Sequence, residues 1–116
     1  MDCIFCKIVK KEIPATVVFE DEEIIAFKDI RPIAPVHVLV IPKRHIGSVN
    51  DLTEADAALA GKMILAGQKI AKDLHTGENG YKLLFRVGKW GGQEVDHIHL
   101  HIIGGAQLHE NIHPVL

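Results

Sequence analysis

The sequence predicts an α+β domain: an antiparallel meander sheet of about five strands, one long helix and a short N-terminal helix. Two observations carry this. Residues 53–74 contain neither proline nor a turn cluster, and Leu59, Met63, Ala66, Ile70 and Leu74 recur there at steps of four and three, one helical face. Elsewhere the apolar residues fall in short β-branched runs separated by turn residues. With 116 residues the chain fits one domain, 1–116, long enough to bury a core without extra staples.

Taken in order, residues 3–9 read as the short leading helix. Residues 16–20 and 23–27 flank the acidic turn Asp21-Glu22 and form a hairpin. Residues 36–41 are a strand ended by Pro42. The long helix follows, with Thr53 as N-cap, Asp56 three residues on, Leu52 placed for a hydrophobic staple and Gly77 as the stop. Residues 81–87 and 97–103 are the last two strands, with a glycine-rich turn between them.

The formal net charge of -2 argues against a nucleic-acid binder, which needs a basic face. Lys7, Lys10 and Lys11 read as a solvated patch. No apolar run is long enough to cross a bilayer, and the start does not read as a signal peptide, so a cytoplasmic protein without membrane contact is expected. In that compartment Cys3 and Cys6 are thiols or metal ligands. Their spacing puts two sulfurs one helical turn apart. That suits half of a zinc site, two buried cysteines acting as small hydrophobes, or a redox pair that lacks its βαβ context.

The chemistry concentrates in His97-Ile98-His99-Leu100-His101. Along a strand, residues two apart share a face, so three imidazoles line one side about 7 Å apart while the aliphatic residues enter the core. Imidazole is both nucleophilic and able to move protons near neutral pH. Crowding three together suppresses their ionisation and leaves a neutral ring free to attack. His-x-His on a strand is equally a zinc pair, and periodicity alone does not choose between nucleophile and ligand.

The run 97–103 resembles the His-φ-His-φ-His-φ-φ signature of the histidine-triad (HIT) nucleotide-binding family. Further blocks resemble its Hint-like branch: Ile4-Phe5, Lys7-Ile8, Glu12-Ile13-Pro14, Phe19-Glu20-Asp21, Phe27, Asp29-Ile30, Pro32, Ala34-Pro35, His37, Val40-Ile41-Pro42-Lys43, His45-Ile46, Gly80-Tyr81, Gly91-Gly92-Gln93 and Gly104-Gly105. The resemblance implies a hydrolase of purine nucleoside phosphoramidates or related nucleotidyl compounds. His99 would attack the α-phosphorus to give a nucleotidyl-histidine, flanked by His97 and His101, with His37 nearby. Purine nucleoside monophosphates or phosphoramidates are the expected ligands.

The same resemblance assigns a nucleotide site to Phe5, Ile8, Phe27, Ile30 and Leu39 around the base, Asp29 at the ribose, and Arg86, Gly92, Gln93, Glu94, Val95, His99 and His101 around the phosphate. Glycine at 91 and 92 lets backbone N–H groups approach an anion; the plainer reading is a turn between strands. An aspartate at 29 is equally a turn cap, and each apolar residue of the slot is equally core. Some bacterial members carry a structural zinc, and the matching ligands here are Cys3, Cys6, His45 and His97; no cofactor is expected for the chemistry itself.

Three positions depart from the branch. Arg86 stands where an asparagine is usual, keeping a donor but adding length and fixed charge. Trp90 replaces a small or polar residue, to cover the pocket mouth or to pack. Glu94 replaces a serine seen in some members. The family implies a homodimer joined through the long helix and the strand at 81–86, with the tail reaching the partner's site. Two other functions stay open: a nucleotide-binding module with little turnover, marked by Arg86, and a zinc hydrolase with the triad as ligands.

Overall fold

The computed structural model describes residues 3–115. A short helix, α1 (Ile4–Val9), precedes the hairpin β1 (Val17–Glu20) and β2 (Ile24–Lys28). The Asp21 carboxylate closes that hairpin by accepting from the backbone N–H groups of Glu23 and Ile24 at 2.8 and 2.9 Å, which fixes the turn at an aspartate as its position suggested. Next come β3 (Val36–Pro42), two single 3-10 turns, α2 (Ala57–Asp73), β4 (Lys82–Leu84) and β5 (Leu100–Gly104).

All pairings are antiparallel. The five-strand α+β expectation holds, and the strand order β1-β2-β3-β5-β4 refines the meander. The last strand enters between β3 and β4, which leaves three-residue β4 at the edge.

Alternation along the central strands sorts the core into two layers. Ile24, Ala26, Val38, Val40, Leu100 and Ile102 pack with Met63, Ala66, Ile70 and Ala71 of α2. The intervening residues Ile25, Phe27, Leu39 and Ile41 pack with Cys3, Phe5 and Ile8 beneath α1. His37 and His101 share the parity of this second set, so the sheet delivers them to the α1 side.

Several boundaries differ from the sequence reading, and the strand expected at 81–87 is reduced to Lys82–Leu84. The predicted strand 97–103 enters the ladder only at Leu100, which pairs with Val40. Continued register would set Ile98 against Pro42, which has no N–H to donate. Instead the Ile98 N–H reaches the Ile46 carbonyl at 2.7 Å, and residues 97–99 run outside the ladder. The helix predicted at Thr53 begins as a 3-10 turn, Glu54–Asp56, with the Thr53 N–H held by the Asp56 carboxylate at 2.9 Å. At the far end His75, not Gly77, takes the left-handed conformation (φ 62), because the helix ends at Asp73 and the reversal falls two residues later. Among the described residues no helix is long and apolar enough to cross a membrane.

Candidate active site

The three histidines of the run do not line one open face. They split into two groups, and His97 is the point of division. Its ring is fully buried, and both nitrogens are occupied. Nε2 lies 2.8 Å from the Pro42 carbonyl, which can only accept, so Nε2 carries the proton. Nδ1 therefore presents its lone pair to the sulfurs of Cys3 and Cys6 at 3.4 and 3.6 Å. No ring nitrogen of His97 is left for a reaction, which corrects its expected place beside the nucleophile.

Helix α1 delivers the two cysteines. Cys3 caps it, its sulfur accepting from the Cys6 N–H at 3.4 Å. His45, just beyond β3, brings Nδ1 to 3.3 Å from Cys6 Sγ, and its ring meets that of His97 edge to face at 4.9 Å. One ligand atom from each of Cys3, Cys6, His45 and His97 lies within 4.8 Å of the others. Zinc bonded to sulfur and nitrogen at its usual lengths in a tetrahedron sets S···N edges of about 3.6 Å. The observed 3.3, 3.4 and 3.6 Å fit that group, and the Pro42 carbonyl supplies the outer contact that orients a ligating imidazole. Burial and the neighbouring Cys3 thiol push the Cys6 thiol up, so a cation is what would favour thiolates here.

His99 turns the other way. Its Nδ1 donates to the His97 carbonyl at 2.7 Å, so a neutral ring leaves the Nε2 lone pair free. Phe5 of α1 meets this ring edge-on at 5.1 Å and also touches His97, which ties the packing of His99 to the cysteine helix. Burial pushes the His99 pKa down. The hydrogen bond to His97 opposes this, the Arg86 charge reinforces it, and the carboxylates of Asp29 and Glu94 pull back. His101 lies beside it with ring centroids 4.9 Å apart.

A chain of contacts runs on from His101. The Ile33 N–H donates to His37 Nδ1 at 3.2 Å, so neutral His37 carries its proton on Nε2. That proton faces His101 Nδ1 at 2.9 Å, with an Asp29 oxygen 3.4 Å from His37 Nε2. Arg86 approaches the opposite side of His101, Nη1 standing 3.2 Å from Nε2. Burial first, then His99, Arg86 and His37, lowers the His101 pKa to about 3. His37 is also lowered by burial, against the pull of Asp29.

The expected nucleotide residues sort less evenly. Phe5, Ile8, Phe27 and Leu39 share one buried cluster with Val95 against it. Ile30 stands outside it, 86% exposed, because the loop after β2 carries it away from the sheet. One Asp29 oxygen caps the turn at the Arg31 N–H (2.8 Å), while the other faces His37. Gln93 is occupied: its amide donates to the carbonyls of Gly47 and Val95 at 2.7 and 2.9 Å, and its oxygen accepts from the Gly88 N–H. It pins the glycine loop rather than offering a free donor. Gly92 has φ 84, and a Cβ there would stand 3.3 Å from Arg86 Cδ, so glycine leaves room for the arginine. Glu94 is exposed. Trp90 is fully exposed and neither packs nor closes over the histidines. The backbone partners at Pro42, Ile33 and His97 have no signal in the sequence, since any residue supplies a carbonyl and nearly any an N–H.

This sheet, with a sulfur–imidazole cluster at one end of α1 and a buried run of neutral imidazoles beside it, defines a hydrolase of the histidine-triad type. Residues 2–112 match the family model described as scavenger mRNA decapping enzyme C-term binding. The chain is 50% identical over 103 residues to protein HitA of Neisseria gonorrhoeae, covering 89% of this chain and 95% of that one. It is 43% identical over 107 residues to the purine nucleoside phosphoramidase of Escherichia coli K12, covering 92% and 90%. Its fold is similar to that of a HIT family hydrolase from Legionella pneumophila, with TM-score 0.90, 53% identity and coverage of 91% and 95%. A second HIT family hydrolase, from Clostridium thermocellum, gives TM-score 0.92 at 46% identity, covering 96% of each chain. The chain belongs to the HIT family.

The neutral imidazoles have a consequence for stability. His37 and His101 are lowered in the folded chain, so the unfolded chain binds more protons once pH drops below about 6.5. Their contribution is complete above that value and is lost progressively as pH falls toward the His101 value of about 3. The melting temperature should decline through this window, with a shallower slope in His101→Asn; a flat profile below about pH 6.5 contradicts this.

Proposed function

We propose that the chain hydrolyses purine nucleoside phosphoramidates or related nucleotidyl compounds through a nucleotidyl-His99 intermediate. The observation that carries this is the hydrogen bond from His99 Nδ1 to the His97 carbonyl, which leaves Nε2 of a neutral ring as a free nucleophile. The E. coli relative named purine nucleoside phosphoramidase supports the substrate class. In the first step His99 Nε2 bonds to the α-phosphorus and the bond to the leaving group breaks. In the second, water attacks phosphorus, the P–N bond breaks and its electron pair returns to His99. His101 and Arg86 face the phosphate, with His37 positioning His101. Phe5, Ile8, Phe27 and Leu39 back the base, Asp29 meets the ribose, and the backbone of Gly92, Glu94 and Val95 edges the phosphate.

The reading in which the triad itself ligates zinc loses its geometry, because His97 turns toward the cysteines and His99 Nδ1 already bonds a carbonyl. A binding module with little turnover is separated by assay. His99→Asn is expected to cut turnover of adenosine 5′-phosphoramidate by about a thousandfold or more while AMP still binds; this is the scale of loss when a covalent nucleophile is removed. Undiminished turnover in that variant sinks the mechanism.

We further propose a structural zinc on Cys3, Cys6, His45 and His97, fixing α1 to the sheet. Elemental analysis of purified protein should find close to one zinc per chain, and the double substitution Cys3→Ala, Cys6→Ala should abolish it. Protein prepared without chelator that holds no metal counts against the site.

The homodimer rests on β4 and α2. Strand β4 is a sheet edge with unpaired backbone groups, and Ile64 and Leu65 on α2 are 47% and 65% exposed. Pairing of these elements with their copies in a second chain covers both. Sedimentation should give roughly twice the 12.8 kDa chain mass, and Leu65→Asp should shift it to the monomer. A wild-type chain that sediments as a monomer at micromolar concentration overturns this.

A further inference from the structure

Proton counting along Ile33, His37, His101 and Arg86 leaves one place in the site where two donors meet. The Ile33 main-chain N–H takes the lone pair of His37 Nδ1, so His37 must donate from Nε2. His101 accepts that bond at Nδ1, so neutral His101 carries its own proton on Nε2. Arg86 Nη1, which is only ever a donor, stands 3.2 Å from that Nε2. Reversing the tautomers does not help, since it sets His37 Nδ1–H against the Ile33 N–H. Two convergent N–H groups, one of them on a permanent cation, call for an anionic oxygen that both can reach.

We infer that Arg86 sets the leaving group: it adapts this site to nucleotides whose α-phosphorus carries a second phosphate, in preference to those that carry an amine. The inference rests on the nucleotidyl-transfer reading above and narrows it. A nucleoside phosphoramidate brings little charge beyond its single phosphoryl group, whereas a nucleoside diphosphate adds a terminal phosphate with up to two further charges. The guanidinium, whose stem passes 3.3 Å from where a Gly92 Cβ would stand, is a fixed charge that discriminates in favour of the more charged ligand.

The departure step points the same way. An amine must gain a proton as the P–N bond breaks, and a phosphate leaves as an anion without one. His101 is poorly suited to supply that proton, because burial and the Arg86 charge hold its ring neutral. With a diphosphate, His99 Nε2 bonds to the α-phosphorus and the bridging P–O bond breaks. Its electron pair leaves on inorganic phosphate, stabilised by Arg86. Water then releases the nucleoside monophosphate and restores His99, and the net proton goes to solvent.

The test compares ADP with adenosine 5′-phosphoramidate on the full-length chain. The wild type should show the higher kcat/KM for ADP, with phosphate release abolished in His99→Asn. Arg86→Asn should lower the ratio of kcat/KM for ADP to that for the amidate by roughly ten- to hundredfold, the scale of a lost hydrogen bond to a charged group, and raise amidate turnover. Arg86→Lys, which keeps the charge without the fork, should recover part of the ratio. A wild type that prefers the amidate overturns the inference. So does a ratio unchanged in Arg86→Asn, or a parallel loss on both substrates, which is what a purely structural arginine produces. A wild type that binds AMP and turns over neither substrate takes down the nucleotidyl-transfer reading, and this inference with it.

Discussion

The active-site arrangement depends on how His97 is held at both ends. Its ring is clamped between the Pro42 carbonyl and the two sulfurs of α1, and its own carbonyl fixes the tautomer of His99. One buried residue therefore joins the cysteine cluster to His99 through its backbone. Pro42 is well suited to its part. Lacking an N–H, it ends the ladder between β3 and β5, and its carbonyl is directed instead to the buried ring. Without that end, residues 97–99 would continue in register and the rings of 97 and 99 would share a face.

Burial supplies the electrostatics. Four imidazoles sit in a small volume, and water is excluded from most of it. Desolvation is the leading cause of the lowered pKa at His37, His97, His99 and His101, and their mutual proximity adds to it at three of them. A neutral ring keeps a lone pair, which a nucleophile needs. The cost is that each ring nitrogen away from solvent needs a partner; among the described residues every buried side-chain nitrogen or oxygen has a polar neighbour within hydrogen-bonding distance, although at His101 Nε2 that neighbour, Arg86, is itself a donor. Three of the ring partners are main-chain groups, the Pro42 and His97 carbonyls and the Ile33 N–H, held by the sheet and by the turns that leave it; the others are side chains, the cysteine sulfurs, Arg86 and the His37–His101 pair itself. Gln93 is the clearest case of a side chain serving this framework, stapling the glycine loop to Gly47 and Val95.

Much of the fold was legible because it follows from periodicity. The α2 face, the Asp21 hairpin and the alternating aliphatic residues of β2, β3 and β5 appear where their spacing put them. The boundaries that moved did so for non-local reasons: Leu100 begins β5 because β3 ends at Pro42, and His75 takes the reversal beyond α2. Ile30 illustrates the same limit within the site. Its neighbour Asp29 faces His37, but Ile30 itself is carried into solvent by a loop whose path no local pattern fixes.

The sequence by itself determined which chemistry was available: two thiols one helical turn apart, histidines at alternate positions, and an arginine ahead of a glycine loop. It determined parity too, since strand residues two apart must share a face. Only the tertiary structure decided which nitrogen of each ring meets which partner, and so separated His97 from His99 and set Arg86 against His101. The physical reason is that those choices are made by carbonyls and N–H groups common to every residue. Their positions depend on the packing of distant segments and leave no mark in the order of side chains.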